Sequence, residues 1–267
     1  MKDKVVIITG ASSGIGRALA NEFAARGCKL VIAARRLELL EQLKNELSPA
    51  EVWAQQTDVS REDDCKQLIK ATLDRFGRID ILVNNAGISM RAVFEDVEID
   101  VLRKLMDVNF WGTVYCTKFA LPWLLQSKGS VVGIISIAGY IGLPGRTGYS
   151  ASKFAIRGFL DTLRTENMKK GLHVLVAAPG FTASEVRKAA LTAHGCSQGE
   201  TPRDEGKMMT AEQCARRVAD AVQKRKRQLI LTFTEGKLSV FLSKFFPSLI
   251  DRLAFKHMAK EPDSPFK

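Results

Sequence analysis

Residues 4–16 read KVVIITGASSGIG, and this stretch decides the fold. Its β-branched first half is too short for a surface helix and is typical of a buried parallel strand. Glycines at positions 10, 14 and 16 follow at once, and residues 17–26 then form an amphipathic helical pattern that Gly27 closes. Strand, glycine turn and helix together predict a phosphate-binding loop, because glycines let the backbone approach a pyrophosphate and a helix N-terminus attracts anions. The alternative, a glycine-rich turn that binds nothing, is less favoured in this context.

A second stretch, YSASK, places Tyr149 and Lys153 four residues apart, on one face of any helix that they share. A phenol has an ordinary pKa near ~10. A fixed ammonium beside it lowers that pKa and makes the tyrosine a usable acid or base. On spacing alone a solvated helix face is the better explanation of the pair. Its interpretation as an acid or base pair therefore depends on the glycine loop in the same chain.

Apolar strands alternate with helical patterns along the whole chain of 267 residues. The candidate strands are VVIIT, LVIAA, VWAQQ, ILVNN, VVGIISI, HVLVAAP and LILTF. This alternation predicts an α/β protein: a single-domain, doubly wound Rossmann fold over residues 1–267, with a seven-stranded parallel sheet and helices on both faces. No repeat, low-complexity run or linker divides the chain, and residues 236–260 form a C-terminal helical extension.

Charge and cysteine content narrow the class of protein. The formal charge of +11 fits a basic surface around an anionic cofactor better than a nucleic-acid partner, since no aromatic residues interleave with the densest basic run at 224–227. The five cysteines are scattered without a C-x-x-C pair, which fits free thiols in a reducing compartment, and the dispersed histidines suggest no metal site. The chain opens directly on a strand and has no apolar stretch long enough to span a bilayer, so we expect a cytoplasmic protein.

Ordered motifs between about residue 4 and residue 232 resemble those of the short-chain dehydrogenase/reductase family. TGASSGIG at residues 9–16 resembles the family's cofactor loop, and Asp58-Val59 resembles its adenine-contacting pair. NNAG at residues 84–87 resembles the motif that steadies the central sheet, and Pro179-Gly180 the turn that flanks the nicotinamide. By this resemblance, the residues expected at the cofactor are Gly10, Ser12, Ser13, Gly14, Ile15, Gly16, Arg35, Arg36, Asp58, Val59, Asn85, Ala86, Gly87, Tyr149, Lys153, Pro179, Gly180 and Thr182.

Asn109 in DVNFWGT, Ser136 in IISIAG, and the pair Tyr149 and Lys153 resemble the catalytic tetrad of that family. The resemblance implies that Tyr149 protonates a carbonyl oxygen during reduction, while Lys153 lowers the tyrosine pKa and binds the nicotinamide ribose. It also implies that Ser136 stabilises charge on the substrate oxygen and that Asn109 holds a water leading from Lys153 to solvent. Without the resemblance, Ser136 and Asn109 are better explained as groups that satisfy local backbone.

The end of the second predicted strand bears on the choice of dinucleotide. An NAD-dependent enzyme usually has a carboxylate here, on the adenosine ribose 2′-hydroxyl, whereas this chain has Ala34 followed by Arg35 and Arg36. A guanidinium pairs with a 2′-phosphate that a carboxylate would repel. We therefore expect NADP(H) as the cofactor. Arg35 and Arg36 would distinguish it from NAD(H) by binding the 2′-phosphate, and Ser12 would assist with a hydrogen bond. If one of the two arginines is a bystander that only begins the next helix in solvent, Arg36 is the better candidate for that bystander.

Two segments are less constrained by the resemblance. Residues 181–210 form a long polar loop that is a candidate substrate lid, and its apolar members either face the substrate or pack on the core. These members are Phe181, Val186, Leu191, Met208 and Met209.

In the extension at 236–260, apolar residues recur at helical spacing among lysines, and Pro247 interrupts any single helix. The extension packs on its own domain or a partner subunit, caps the substrate pocket, or forms a membrane-surface helix pair.

These features predict an NADPH-dependent oxidoreductase that transfers a hydride between nicotinamide and a carbonyl or secondary alcohol. AARR at 33–36, GYIGLPGRTGYSASK at 139–153 and the extension resemble hydroxysteroid-dehydrogenase-like carbonyl reductases, which implies an apolar steroid, lipid or aromatic substrate. The family also implies a homo-oligomer, dimer or tetramer, paired through the helix after Lys104 and the helix that carries Tyr149. The alternatives are a non-catalytic dinucleotide-sensing or scaffolding protein, and a sugar-nucleotide epimerase, against which the length and TGASSGIG argue.

Overall fold

The structure, a computed structural model, describes residues 1–182, 186–199, 206, 208–261, 264 and 266. Its strands are β1 (Val5–Thr9), β2 (Lys29–Ala34), β3 (Val52–Gln56), β4 (Ile81–Asn84), β5 (Ser130–Ile134), β6 (His173–Ala178) and β7 (Gln228–Ile230). These strands form one parallel sheet in the order β3-β2-β1-β4-β5-β6-β7. The predicted seven-stranded parallel sheet is therefore confirmed.

Helices connect the strands. They are α1 (Gly14–Ala25), α2 (Leu37–Glu46), α3 (Glu62–Phe76), α4 (Ile99–Leu105), α5 (Gly112–Gln126), α6 (Thr147–Glu166), α7 (Ala211–Gln223), α8 (Ser239–Leu242) and α9 (Pro247–Ala259). A π-helical segment, Met106–Trp111, joins α4 to α5, and a second, Phe233–Leu238, leads into α8. Pro247 begins α9, where its missing N–H would have had no helical partner.

Alternate residues of each central strand enter two separate apolar layers, which is why the strands read as continuous apolar runs. On β1, Val6 and Ile8 pack with residues of α1 and α7, whereas Ile7 packs with residues of α3, α5 and α6. All three side chains are fully buried. Helices therefore cover both faces of the sheet, as the sequence predicts.

The strand order reverses beside β1, which lies between β2 and β4. In open parallel sheets a ligand binds in the crevice that such a reversal creates beyond the carboxyl ends of the strands. The glycine loop, which follows β1, and residues 84–87, which follow β4, meet at this edge of the sheet. The fold therefore brings the glycine loop and the NNAG motif together.

Some predicted boundaries differ from the structure. The strand LILTF, predicted at 229–233, ends at Ile230, because Thr232 has a left-handed φ of 67° and turns the chain into the π-helical segment that follows. The strand VVGIISI ends at Ile134 rather than at residue 137. The helical pattern over 211–223 is confirmed with the same bounds, since a capping box fixes its first turn. All five cysteines are free thiols, as expected.

Candidate active site

The glycine loop after β1 approaches the turn after β4 too closely for any side chain. Gly10 has a φ of 67°, and a Cβ atom placed there would lie 2.7 Å from the Cα of Ala86. A Cβ on Gly16 would lie 2.1 Å from the Gly10 carbonyl oxygen. Helix α1 begins at Gly14, and within the described part of the chain the Ser13 side chain does not cap it. The first-turn N–H groups, which a helix cannot satisfy internally, can therefore bind an anion, and the loop fits a dinucleotide pyrophosphate.

An open groove of about 360 Å³ begins at this loop. Of the residues expected at the cofactor, all line the groove except Pro179, Gly180 and Thr182. Those three line a neighbouring cavity. Val186 and Ala189, from the long loop after β6, also line the groove, and the sequence analysis did not identify them as cofactor residues.

Asn85 ties the two turns at the head of the groove together. Its Nδ2 donates to the carbonyl oxygens of Thr9, at 2.9 Å, and Gly10, at 3.2 Å. The Thr9 hydroxyl in turn accepts the backbone N–H groups of Asn85 and Ala86, each at 3.1 Å. On the far side of the groove, the Asp58 carboxylate accepts the Ser60 hydroxyl at 2.7 Å. These bonds hold the groove's rim in one shape.

Arg36 and Arg35 have different surroundings, although both line the groove. The Arg36 Nη2 donates to the Ser12 hydroxyl at 3.1 Å and to the Ser13 hydroxyl at 3.4 Å, which places its guanidinium on the glycine loop. The Arg35 carbonyl accepts a bond from the Gln56 side chain at 2.9 Å, and the side chains of both arginines are exposed. The contacts of Arg36 with the glycine loop argue against our expectation that it is the bystander, and the roles of the two arginines stay a prediction.

Helix α6 carries Tyr149 and Lys153 on one face, as predicted, at the junction between the groove and the neighbouring cavity. Ser136 lines the same cavity as Tyr149, and its hydroxyl accepts the Ala138 N–H at 3.2 Å. Burial raises the pKa of Tyr149, against the opposing effects of Ser136, Arg146 and Arg187. The lowered pKa expected from the Tyr-Lys spacing is therefore not found here.

The position of Lys153 explains this difference. Its Nζ lies 5.6 Å from the centre of the Tyr149 ring and donates to the Ile134 carbonyl oxygen at 3.2 Å. The side chain is almost fully buried, and this desolvation lowers its pKa to about 8. Because this pKa lies below the ordinary pKa of a phenol near ~10, Lys153 has lost its charge before Tyr149 titrates and therefore does not lower the pKa of the phenol. A Cβ on Gly87 would lie 3.3 Å from the Nζ atom, so the glycine leaves room for the lysine at the groove.

Asn109 lies fully buried in the π-helical segment before α5. Its Oδ1 accepts the Ile88 N–H at 2.8 Å, and its Nδ2 donates to the Ile88 carbonyl at 3.0 Å and to the Ser152 hydroxyl at 2.9 Å. These bonds fasten the turn after β4 to α6, one residue before Lys153. The structure thus shows Asn109 as a positioning residue, and its expected water relay stays a prediction.

The neighbouring cavity, of about 120 Å³, is the candidate catalytic cavity. It is lined by Ser136 and Tyr149 together with the Pro179-Gly180 turn and Thr182. The Pro179 carbonyl accepts the Ile137 N–H at 3.1 Å, which fixes the turn against the residue after Ser136. The cavity and the groove therefore meet at Tyr149, as an acid or base acting between a substrate and a dinucleotide requires.

Some apolar residues of the loop at 181–210 line the catalytic cavity, and others pack in apolar clusters. Phe181 and Val186 line the catalytic cavity, as expected for substrate-facing residues. Leu191 is buried in a small apolar cluster, and Met209 packs against the main core, so these two are structural. Within this loop, residues 183–185, 200–205 and 207 lie outside the described residues, and the expected lid role of those positions stays a prediction.

The C-terminal extension supplies a wall of the catalytic cavity through Met258, and Glu261, the residue directly after the extension, lines the cavity as well. The Glu261 carboxylate is buried and lies 3.4 Å from Arg91 and 3.6 Å from Arg146. The His257 ring lies against Phe181, with ring centres 5.5 Å apart. This arrangement supports the pocket-wall interpretation of the extension. The sequence does not indicate a role for Glu261, since this residue pairs with residues far away in the chain and belongs to no motif.

Comparisons with known proteins agree with this geometry. A family model described as short chain dehydrogenase matches residues 4–194. A "Dehydrogenase/reductase SDR family protein 7-like" of Dictyostelium discoideum is 37% identical over 264 residues, which cover 96% of this chain and 82% of that protein. An "11-beta-hydroxysteroid dehydrogenase 1A" of Arabidopsis thaliana is 44% identical, over 68% of this chain and 53% of its own length. The solved structure of an alcohol dehydrogenase from the archaeon Thermococcus sibiricus, complexed with 5-hydroxy-NADP, matches with a TM-score of 0.74 at 26% identity, over 85% of this chain and 94% of that one.

Proposed function

The chain belongs to the short-chain dehydrogenases, an oxidoreductase family, and from that premise we propose that it is an NADPH-dependent reductase of carbonyl groups in apolar compounds. The observation that carries the proposal is the position of Tyr149, the only polar side chain among the described residues that lines both the groove and the catalytic cavity. A group in that position can exchange a proton with a substrate oxygen while a dinucleotide lies beside it. The relative crystallised with an NADP analogue supports the choice of cofactor class.

The residues of the groove fit the parts of NADPH. The glycine loop would hold the pyrophosphate, Arg36 the 2′-phosphate, Asp58 and Val59 the adenine, and Lys153 the nicotinamide ribose. When bound, NADPH supplies the hydride. The protein's own part is to place Ser136 and Tyr149 at the carbonyl oxygen, where Ser136 stabilises developing negative charge and Tyr149 gives up its proton. The raised pKa of Tyr149 keeps the phenol protonated at neutral pH, which suits the direction of reduction.

The test of this function is turnover. Purified protein is incubated with NADPH and a panel of steroid, lipid and aromatic ketones, and loss of the reduced cofactor is followed by absorbance. We expect oxidation of NADPH with at least one ketone, in equal amount to the alcohol formed. Oxidation of NADPH that is not matched by alcohol would contradict the proposal.

We expect NADPH to bind about 10- to 150-fold more tightly than NADH, because a charge-assisted pair with a phosphate contributes about 1.5–3 kcal/mol. Arg36→Ala should remove most of this preference and Arg35→Ala less, since only the Arg36 side chain is seated on the glycine loop. Titration calorimetry of both cofactors measures the effect. Arg61→Ala, at an exposed helix start outside the groove, is the control. Equal wild-type affinity for the two cofactors would refute the preference.

Glu261→Gln tests the C-terminal wall. Removing one partner from a buried ion cluster is destabilising, and because Arg91 and Arg146 have further contacts we expect a loss of about 2 kcal/mol. The KM for the ketone should rise severalfold, whereas NADPH affinity should stay unchanged because Glu261 lines the cavity and not the groove. Urea unfolding and steady-state kinetics measure these effects. Glu62→Gln, in an exposed ion pair with Lys66, is the control, and equal losses in both variants would contradict the assignment.

The same proposal includes a homo-oligomer assembled through α5 and α6. Large apolar side chains on these helices are exposed in the single chain, Phe154 by 43% and Trp123 by 39%, and so is Trp111, directly before α5, by 43%. Burying such side chains against a second copy is strongly favourable. Sedimentation velocity, which reports mass in solution, tests the assembly.

A further inference from the structure

The outer face of the C-terminal extension exposes large apolar side chains. Phe245 is 62% exposed, Phe241 58%, Phe246 57%, Leu253 50% and Leu249 48%. The Phe241 and Phe245 rings contact each other, with centres 5.2 Å apart, so these two side chains form one apolar patch, and the other three follow within eight residues of the chain. Clusters of this kind on a protein surface usually mark an interaction site.

Helix α9 has two apolar faces with different surroundings. Ile250 and Met258 are buried, and Met258 lines the catalytic cavity. Leu249 and Leu253, which lie one turn apart, are on the exposed side. One face therefore completes the pocket, while the other is available to a partner.

The apolar patch is surrounded by positive charge. Residues 236–260 contain only one acidic residue, Asp251. The basic side chains are all exposed, and they are Lys237, Lys244, Arg252, Lys256 and Lys260. Lys256 and Lys260 continue the line of Leu249 and Leu253 along α9, at helical spacings of three and four residues. Aromatic and aliphatic side chains flanked by lysines are the pattern of a helix that lies in the plane of a membrane surface.

We propose that this face, formed by α8, α9 and the turn between them, docks onto an anionic lipid surface. The apolar side chains would enter the boundary between headgroups and acyl chains, and the lysines would extend to the phosphates. A second copy of the chain fits this face less well. A twofold contact would set the same basic groups against one another, and one acidic residue per chain cannot balance them. None of the helices in the described residues is long and apolar enough to cross a membrane.

The docked orientation would also place a lipid-soluble substrate near its pocket, a consequence that rests on the proposed function. A groove of about 670 Å³ lies between α9 and the segment before α6, and Phe255 and Leu143 line it. Leu143 also lines the catalytic cavity, so the groove and the cavity are adjacent at this residue. The docking test below measures vesicle binding without turnover, so that its failure is distinct from a failure of the proposed function.

The test is co-sedimentation of the full chain with vesicles of phosphatidylcholine alone and of phosphatidylcholine with phosphatidylserine. We expect binding to the mixed vesicles that is at least tenfold tighter and that weakens as salt rises. Phe241→Ser combined with Phe245→Ser should reduce binding at least tenfold. The matched control combines Phe94→Ser with Ile99→Ser, which are also exposed but lie outside the extension, and it should bind normally.

The contribution of charge is measured with a second pair of variants. Lys237→Gln combined with Lys244→Gln should weaken binding by about fivefold per lysine, whereas Lys169→Gln with Lys170→Gln should not. Equal weakening by both lysine pairs would show non-specific attraction to a basic protein and would overturn the proposal. So would wild-type binding by the phenylalanine variant, or no wild-type binding at low salt. Conversion of a wild-type oligomer to monomers by Phe241→Ser with Phe245→Ser would show that the face is a subunit interface instead.

Discussion

Tyr149→Phe should lower kcat by about a hundredfold to ten-thousandfold while NADPH still binds with nearly wild-type affinity. A positioned general acid contributes about 10²–10⁴ to the rate, and the phenylalanine ring keeps the packing but has no proton to give. The glycine loop and Arg36, which make most of the predicted cofactor contacts, are unchanged by the substitution. Steady-state kinetics gives the loss of kcat, and titration calorimetry gives the affinity for NADPH.

Tyr140→Phe is the matched control for this experiment. Burial also raises the pKa of Tyr140, but its ring packs beneath the Arg157 guanidinium and lines neither the groove nor the catalytic cavity. We expect the control to keep a kcat within severalfold of the wild type. If Tyr149→Phe turned over as fast as this control, Tyr149 would not be the proton donor.

Lys153→Met should abolish activity and yet stabilise the nucleotide-free protein at neutral pH. Burial lowers the pKa of Lys153 to about 8 from the ordinary 10.5. Below pH 8 the folded protein therefore buries a charged ammonium, which lowers the free energy of unfolding by about 3 kcal/mol. Methionine removes that penalty, but it also loses the bond from the ammonium to the Ile134 carbonyl, which contributes about 2 kcal/mol because its donor is charged. The net expected gain in the free energy of unfolding is about 1 kcal/mol.

This gain has a defined pH dependence. Between pH 8 and 10.5 the unfolded chain binds more protons at this lysine than the folded chain, so the stability of the wild type rises with pH and its penalty disappears. The advantage of Lys153→Met should therefore be full below pH 8 and lost by about pH 10.5. Urea unfolding of both proteins across this range measures it, with Lys118→Met on the exposed side of α5 as the control. An advantage that does not change with pH would mean that Lys153 is not held in a desolvated site.

The parts of the site that the sequence predicts are those encoded by local geometry. The glycine positions follow from the close approach of Gly10 and Gly16 to other backbone, and such contacts permit only one residue type. The Tyr149 and Lys153 pair follows from helical spacing. The buried strands follow from their apolar runs, because both faces of the sheet are covered.

The remaining features depend on contacts between distant parts of the chain. No local pattern indicates that Glu261 meets Arg91 and Arg146, because these residues come together only when the extension folds over the pocket. The contact of Arg36 with the glycine loop depends on the relative positions of the turn after β2 and the turn after β1. The raised pKa of Tyr149 depends on burial, which the spacing of two residues does not encode.

The most direct test of the account compares the wild type with Tyr149→Phe on the same ketone panel, after calorimetry has shown that both proteins bind NADPH. We predict that the wild type oxidises NADPH with at least one apolar ketone and forms the corresponding alcohol, whereas Tyr149→Phe binds the cofactor but forms none. A wild-type protein that binds NADPH tightly and reduces no ketone of the panel would contradict this account and favour a dinucleotide-sensing role.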